Sequence, residues 1–185
     1  ELTMLALKYE YPDGGEIIVP PLTWVSDINS VHFAGFDPVF VDINLTNLSF
    51  DLSELEKAIT SKTRAIFITH VLGLNGITEK LLELCNKYDI KLIQDVCESH
   101  GATYKNQRLG SIGFASNFSF YFAHHMSTIE GGMVCTNDTK FYELCRSLRS
   151  HGMVREFDDP EIKSFYTTNF PKLNPDFIFV GPAHN

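Results

Sequence analysis

The 185-residue sequence predicts a three-layer α/β/α domain on a mixed but mainly parallel sheet, and three observations carry that expectation. Short apolar runs alternate with amphipathic stretches of roughly ten residues, and such alternation implies crossover connections between parallel strands. The run from Phe118 to Phe122 is apolar or aromatic on both of its alternating faces, as an interior strand requires. Turn and capping residues, among them Pro12-Asp13-Gly14-Gly15 and Asp51, fall between these runs.

Taken in order, Glu1 to Leu7 opens with a helical pattern that lacks a cap. The Pro12–Gly15 turn leads into a short strand, Glu16 to Val19, closed by Pro20-Pro21. Trp24 begins a second helix, which Gly35-Phe36-Asp37-Pro38 stops; Val39 to Ile43 is the second strand and Asp51 to Ala58 a capped helix. A strand from Arg64 to Leu72, an amphipathic helix from Thr78 to Tyr88 and a strand from Lys91 to Val96 continue the alternation. Asn117 to Phe122 and Gly132 to Thr136 are two further strands, and Asp138 starts a helix through Arg149. From Met153 to Asn185 periodicity fades, so we expect a domain over 1–152 and an irregular arm over 153–185 approaching a second, smaller domain. The uncapped opening and the Gly181–Asn185 ending lead us to expect a piece of a longer chain.

Composition narrows the function. Hydrophobic residues make up 44%, which supports a sizeable core. The formal net charge of −8, with Lys and Arg scattered, argues against a nucleic-acid partner. No apolar run reaches the roughly 18 residues of a membrane span, and no basic-then-apolar leader occurs, so no membrane partner and a cytoplasmic location are expected. Cys85, Cys97, Cys135 and Cys145 form no C-x-x-C pair and lie in apolar or amphipathic segments, as reduced, buried thiols do. The Asn-x-Ser/Thr matches at Asn44, Asn47, Asn117 and Asn137 are then chance matches.

Chemistry concentrates between Ser119 and Gly132, where the aromatic strand runs into His124-His125 and a Glu130-Gly131-Gly132 turn. Ligands of open α/β sheets bind beyond the carboxyl ends of strands, which is where these histidines fall. Adjacent residues of an extended chain face opposite ways, so the pair is a poor metal site, and none is expected. Asp95, ending its strand, can hold a cationic ring nitrogen protonated, or simply cap the following turn. Trp24, the only tryptophan, can stack on a flat cofactor, although residue type alone favours core filling. Ser119 can donate to a phosphate or satisfy a neighbour. Neither Gly-x-Gly-x-x-Gly after a strand nor Gly-x-x-x-x-Gly-Lys-Ser/Thr occurs.

In this order Pro21-x-Thr23-Trp24, Gly35-x-x-Pro38-Val39-Phe40-Val41-Asp42, Asp95-x-x-Glu98-x-x-Gly101-Ala102, Ser119-Phe120-Tyr121, Glu130-Gly131-Gly132, Thr136-Asn137-Asp138 and Arg149-x-His151-Gly152 resemble the sugar aminotransferase family of fold-type I pyridoxal phosphate enzymes. Each motif is weak alone; the ordered set is specific. The resemblance implies the large domain of that fold, with pyridoxal 5'-phosphate or pyridoxamine 5'-phosphate as cofactor. It implies Asp95 on the pyridine nitrogen, Trp24 on the ring, Ser119 on the phosphate, and Glu98 near the ring hydroxyl in place of the usual glutamine. His151 and Arg155 are implied to reach a neighbouring subunit's site and Asn185 to be the partner-subunit phosphate ligand, so a homodimer with shared sites is expected.

One departure bears on the reaction. Five residues after the strand serine the family carries the lysine that anchors the cofactor covalently, and here the residue is His124. Imidazole cannot form that link, yet it moves protons near neutral pH. The combination resembles the family's nucleotide-sugar 3-dehydratases, with a nucleotide sugar and L-glutamate as substrates. One such branch adds a cysteine-ligated iron–sulfur cluster after the last helix, and residues 153–185 contain no cysteine, which favours the cluster-free branch.

Overall fold

In the computed structural model, which describes residues 1–180, the strand Glu16–Val19 (β1) is flanked on one side by Asp37–Phe40 (β2) and on the other by Thr63–Thr69 (β3). Lys91–Asp95 (β4), Ala115–Ser119 (β7) and Gly132–Thr136 (β8) complete a six-stranded sheet in the order β2-β1-β3-β4-β7-β8. The first five run parallel and only β8 is antiparallel, to β7. The mixed, mainly parallel sheet is as the sequence predicts.

Side chains alternate across β1. Ile17 and Val19 join a core with Met4 and Leu7 of α1 (Leu2–Glu10), Val31 of α2 (Val25–Phe33) and Phe141 and Leu148 of α5 (Thr139–Leu148). Ile18 faces the other way, into a core with Leu55 of α3 (Leu52–Ala58) and Leu81 and Leu84 of α4 (Glu79–Tyr88). Two apolar faces on one sheet give three layers. Asp51, Thr78 and Asp138 cap α3, α4 and α5, each accepting a backbone N–H of the first turn. Gly14 has a φ of 81°, and a Cβ there would stand 2.7 Å from the Gly35 carbonyl oxygen, so this turn into β1 requires glycine.

Several elements differ from the sequence expectation, each for a physical reason. β2 begins at Asp37 and includes Pro38, because the strand lies at the sheet edge and pairs with β1 alone. β3 stops at Thr69, and Val71–Gly73 forms a 3₁₀ turn with Leu72 at a φ of 54°. β7 starts at Ala115 and ends at Ser119, so Asn117 is mid-strand; Phe122, read as the end of a buried strand, is 65% exposed. Turn bonds replace the ladder beyond Ser119, with His124 N donating to the Tyr121 carbonyl and Thr128 N to that of Phe120.

A short hairpin, Thr103–Tyr104 (β5) with Gln107–Arg108 (β6), was not legible; its turn residues Lys105 and Asn106 both have positive φ. Within the arm, Pro160–Asn169 form a helix, α6, started by the Asp159 cap and Pro160. It buries no residue, which is why no apolar stripe announced it. No helix among the described residues is long and apolar enough to cross a membrane.

Candidate active site

Parallel strands deliver their carboxyl ends to one rim of the sheet. Thr69 of β3 stands opposite Asp95 of β4, and Asp95 opposite Asn117 of β7, so these ends are level. After β1 the chain steps outward to β2, whereas after β3 it steps the other way to β4. The rim between β1 and β3 is therefore the topological switch point, where crevices form in such sheets.

Asp95 is buried at this rim, 7% exposed. Its Oδ1 accepts the Cys97 N–H at 2.9 Å, the local capping role that the sequence allowed, and its carbonyl accepts the His70 N–H at 3.2 Å. Capping and burial coexist: the turn holds one oxygen and the carboxyl group stays at the strand end. Trp24 is 72% exposed just before α2, which rules out core filling and leaves its indole free at the rim. Ser119 ends β7, and its Oγ accepts the Tyr121 N–H at 3.3 Å. Glu98 is exposed, and its Oε2 accepts the Leu72 N–H at 2.8 Å, tying the turn after β4 to the turn after β3.

His124 follows on the loop from β7 and is half-buried, with its ring edge-on to Tyr121 at 6.1 Å between centroids. His125 turns elsewhere, its ring 6.0 Å from that of His100. Burial holds the His100 imidazole below its ordinary range, and His125 and His124 add to that. The two neighbouring histidines thus occupy different surroundings. Gly132 pairs with Ser119 and brings the Glu130-Gly131 turn to the same rim.

Asp27, in the first turn of α2, is a residue that sequence reasoning missed. Thr23 donates to its Oδ2 at 2.7 Å, the Thr69 hydroxyl lies 3.3 Å from the same oxygen, and the two threonine hydroxyls are 2.6 Å apart. Burial, together with the Asp95 carboxylate beside it, pushes the Asp27 carboxyl well above the usual range. The signal available in sequence was only an acidic residue four positions after Thr23 at a strand-to-helix junction.

His151 and Arg155 lie beyond α5 and are exposed. His151 has a φ of 60°, and the Arg155 guanidinium sits over the Phe177 ring and near Glu156 Oε1 at 3.5 Å. Their segment packs on α5, α6 and Pro175–Phe177. Asn185 lies outside the described residues. All four cysteines are free thiols, and burial pushes Cys85 up to about 11 and Cys145 to about 12.

A doubly covered, mainly parallel sheet with a buried carboxylate at a strand end is the architecture of the fold-type I aminotransferases, and solved structures of that class superpose on the chain. The chain belongs to the DegT/DnrJ/EryC1/StrS aminotransferase family, which matches residues 1–171. It is 34% identical over 181 residues to the GDP-4-keto-6-deoxy-D-mannose 3-dehydratase of Yersinia pseudotuberculosis, covering 96% of this chain and 45% of the relative. It is 36% identical over 153 residues to the GDP-perosamine synthase of Escherichia coli O157:H7, covering 83% and 42%. The structure of the Escherichia coli GDP-4-keto-6-deoxy-D-mannose 3-dehydratase with bound hydrated PLP aligns with a TM-score of 0.85 at 30% identity, over 100% of this chain and 48% of that one. A structure of a GDP-4-keto-6-deoxymannose 3-dehydratase with a trapped PLP-glutamate geminal diamine also aligns at a TM-score of 0.85 and 30% identity, covering 100% of this chain and 48% of that one. The chain thus spans a little under half the length of the relatives it matches.

Proposed function

We propose that the whole protein is a pyridoxamine/pyridoxal phosphate-dependent nucleotide-sugar 3-dehydratase that removes the C3 hydroxyl of a 4-keto-6-deoxyhexose. GDP-4-keto-6-deoxy-D-mannose is the substrate best supported, with L-glutamate as the amino donor. The observation that carries this reading is His124, standing on the loop after β7 where the family resemblance places the anchoring lysine, at the rim that also presents the buried Asp95. The sugar type is that of colitose, and dideoxysugar biosynthesis for O-antigen lipopolysaccharide in the cytoplasm is its setting.

The residues at the rim fit the cofactor. A buried carboxylate with one oxygen held by the Cys97 amide suits a cationic ring nitrogen, and an exposed indole before α2 offers a flat face to a ring. When bound, the cofactor supplies a primary amine that joins the sugar ketone and a ring that accepts electrons. Asp95 keeps the ring nitrogen protonated, Trp24 covers the ring, Glu98 stands toward its hydroxyl and Ser119 donates to the phosphate. His124 carries the proton between solvent and the reacting carbon. Overall the sugar's C3 oxygen leaves as water, glutamate is oxidised to 2-oxoglutarate, and its nitrogen is released as ammonia.

We further infer a cofactor-binding domain over 1–152 and an arm over 153–185 that leads to a second domain, supported by the share of each relative that the chain spans. A homodimer is the proposed assembly. Exposed Val25, Phe33 and Phe122 are apolar surface that a partner would cover, with His151, Arg155 and Asn185 serving the partner's site.

The alternative within the family is an aminotransferase, for which the relatives named as synthases speak. Ammonia separates the two. Full-length protein supplied with PLP, GDP-4-keto-6-deoxy-D-mannose and glutamate should release ammonia and 2-oxoglutarate in equal amounts. Release of 2-oxoglutarate with the nitrogen retained on the sugar would establish the aminotransferase instead.

A further inference from the structure

We propose that Leu72 is a positioning residue: its backbone amide holds one oxygen of Glu98, and the oxygen left free is an acceptor that keeps the cofactor's ring hydroxyl protonated. The inference rests on the reading of Glu98 given above and deepens it.

Leu72 adopts a backbone conformation that its type disfavours. Its φ of 54° and ψ of 22° lie in the left-handed region, where a Cβ crowds the backbone. Packing does not hold it there, since the residue is 75% exposed. Its amide is held instead, donating to Glu98 Oε2 at 2.8 Å. Bonds on either side fix the turn: His70 N–H donates to the Asp95 carbonyl and Gly73 N–H to the His70 carbonyl, each at 3.2 Å. The turns after β3 and β4 lie so close that a Cβ on Gly73 would stand 3.4 Å from the Glu98 carbonyl oxygen. Glu98 itself is exposed, and among the described residues no lysine or arginine forms an ion pair with it. The Leu72 amide is thus the group that orients its carboxylate.

The chemistry follows from which atom is held. A carboxylate accepts at both oxygens, so with Oε2 on the amide, Oε1 still offers only an acceptor. A glutamine at this position has one acceptor, and giving it to the Leu72 amide leaves its NH2, a donor, in the place of Oε1. A donor favours an ionised ring oxygen, whereas an acceptor bearing negative charge favours the hydroxyl. With Asp95 holding the ring nitrogen protonated, a neutral hydroxyl leaves the ring its full positive charge and makes it the stronger electron acceptor. The other titratable groups on these elements are Asp95, Cys97 and His100 on the β4 side, His70 before the facing turn, and Asp27 of α2, whose Oδ2 is 3.3 Å from the Thr69 hydroxyl.

Two measurements on the full-length protein test this, the first of them without cofactor. In amide hydrogen exchange, Leu72 should exchange about tenfold more slowly, or slower still, in wild type than in Glu98→Ala, as the loss of a bond to a charged acceptor requires. In absorbance titrations with bound pyridoxamine 5'-phosphate, the ring hydroxyl of Glu98→Gln should ionise about one pH unit or more below that of wild type, roughly tenfold in acid dissociation constant. Leu72→Gly keeps the N–H and suits the left-handed turn, so its titration should match wild type within about threefold.

Equal exchange of Leu72 in wild type and Glu98→Ala overturns the clamp. A Glu98→Gln titration that coincides with wild type, or a shift of equal size in Leu72→Gly, overturns the role of the backbone amide in setting the ring hydroxyl. If wild type itself takes up no pyridoxamine 5'-phosphate, the cofactor reading has failed and the ring half of the proposal falls with it; the exchange rates still decide on the clamp.

Discussion

The Cys97 amide donates to Asp95 Oδ1 at 2.9 Å, so the turn after β4 grips one oxygen of the buried carboxylate. That bond needs only an acceptor, and an amide oxygen provides one. Charge is a separate property, and the proposed pairing of Asp95 with a ring nitrogen would depend on it.

Asp95→Asn should therefore fold as wild type does but lose cofactor-dependent turnover. Removing a fixed charge that stabilises a reacting centre costs on the order of 10²–10³ in kcat. Steady-state ammonia release, with circular dichroism as the control for folding, checks both halves. Turnover within a few-fold of wild type would show that Asp95 serves only the turn.

Much of the framework was legible because its signals are local. Asp51, Thr78 and Asp138 each announced a helix start that the structure places one residue later. Pro38 misled because a proline reads as a stop until the strand is known to be an edge. The Phe118–Phe122 alternation misled for another reason: period-two patterning persists into a loop whose side chains then emerge into solvent. Trp24 was favoured for the core on residue type, and only tertiary placement shows it at the rim. Asp27 was hard to read, since Thr23 lies only four positions before it but its other partner, Thr69, lies 42 positions away in the chain.

His70 gives a pH prediction with a definite sign. It is 1% exposed; its Nδ1 accepts the Gly76 N–H at 3.2 Å, so its Nε2–H donates to Gln94 Oε1 at 3.0 Å. Protonation would set N–H against N–H at Gly76, and burial holds the imidazole below 6.5. A depressed folded value means that stability is complete above the unfolded value and is lost as pH falls toward the folded one. Wild type should lose up to about tenfold in folding equilibrium constant per pH unit below ~6.5, and His70→Gln should show a shallower slope. Urea midpoints between pH 5 and 8 check it, and equal slopes would count against a neutral His70.

The full-length protein should hold PLP without a covalent link. His124 has no primary amine to offer the aldehyde. Borohydride treatment followed by denaturation and peptide mass analysis should recover no residue of this chain carrying the cofactor. Recovery of a modified residue would place the anchoring function elsewhere and remove His124 from its assigned position.

The exchange His124→Lys sets the two chemistries against each other at one position. Lysine brings back the amine that the rest of the family uses to hold its cofactor, so borohydride should now fix PLP to the protein. What is lost is the imidazole proposed to carry the proton, and a general acid–base group contributes about 10²–10⁴-fold. Dehydration measured as ammonia release should fall by that range, while nitrogen transferred to the ketosugar becomes detectable. His125 supplies the internal control, because its ring turns toward His100 whereas that of His124 faces Tyr121. His125→Ala should therefore keep ammonia release within about tenfold of wild type, the range of a lost packing contact rather than a lost base. If instead dehydration survives His124→Lys and disappears in His125→Ala, the proton carrier is the histidine beside His100.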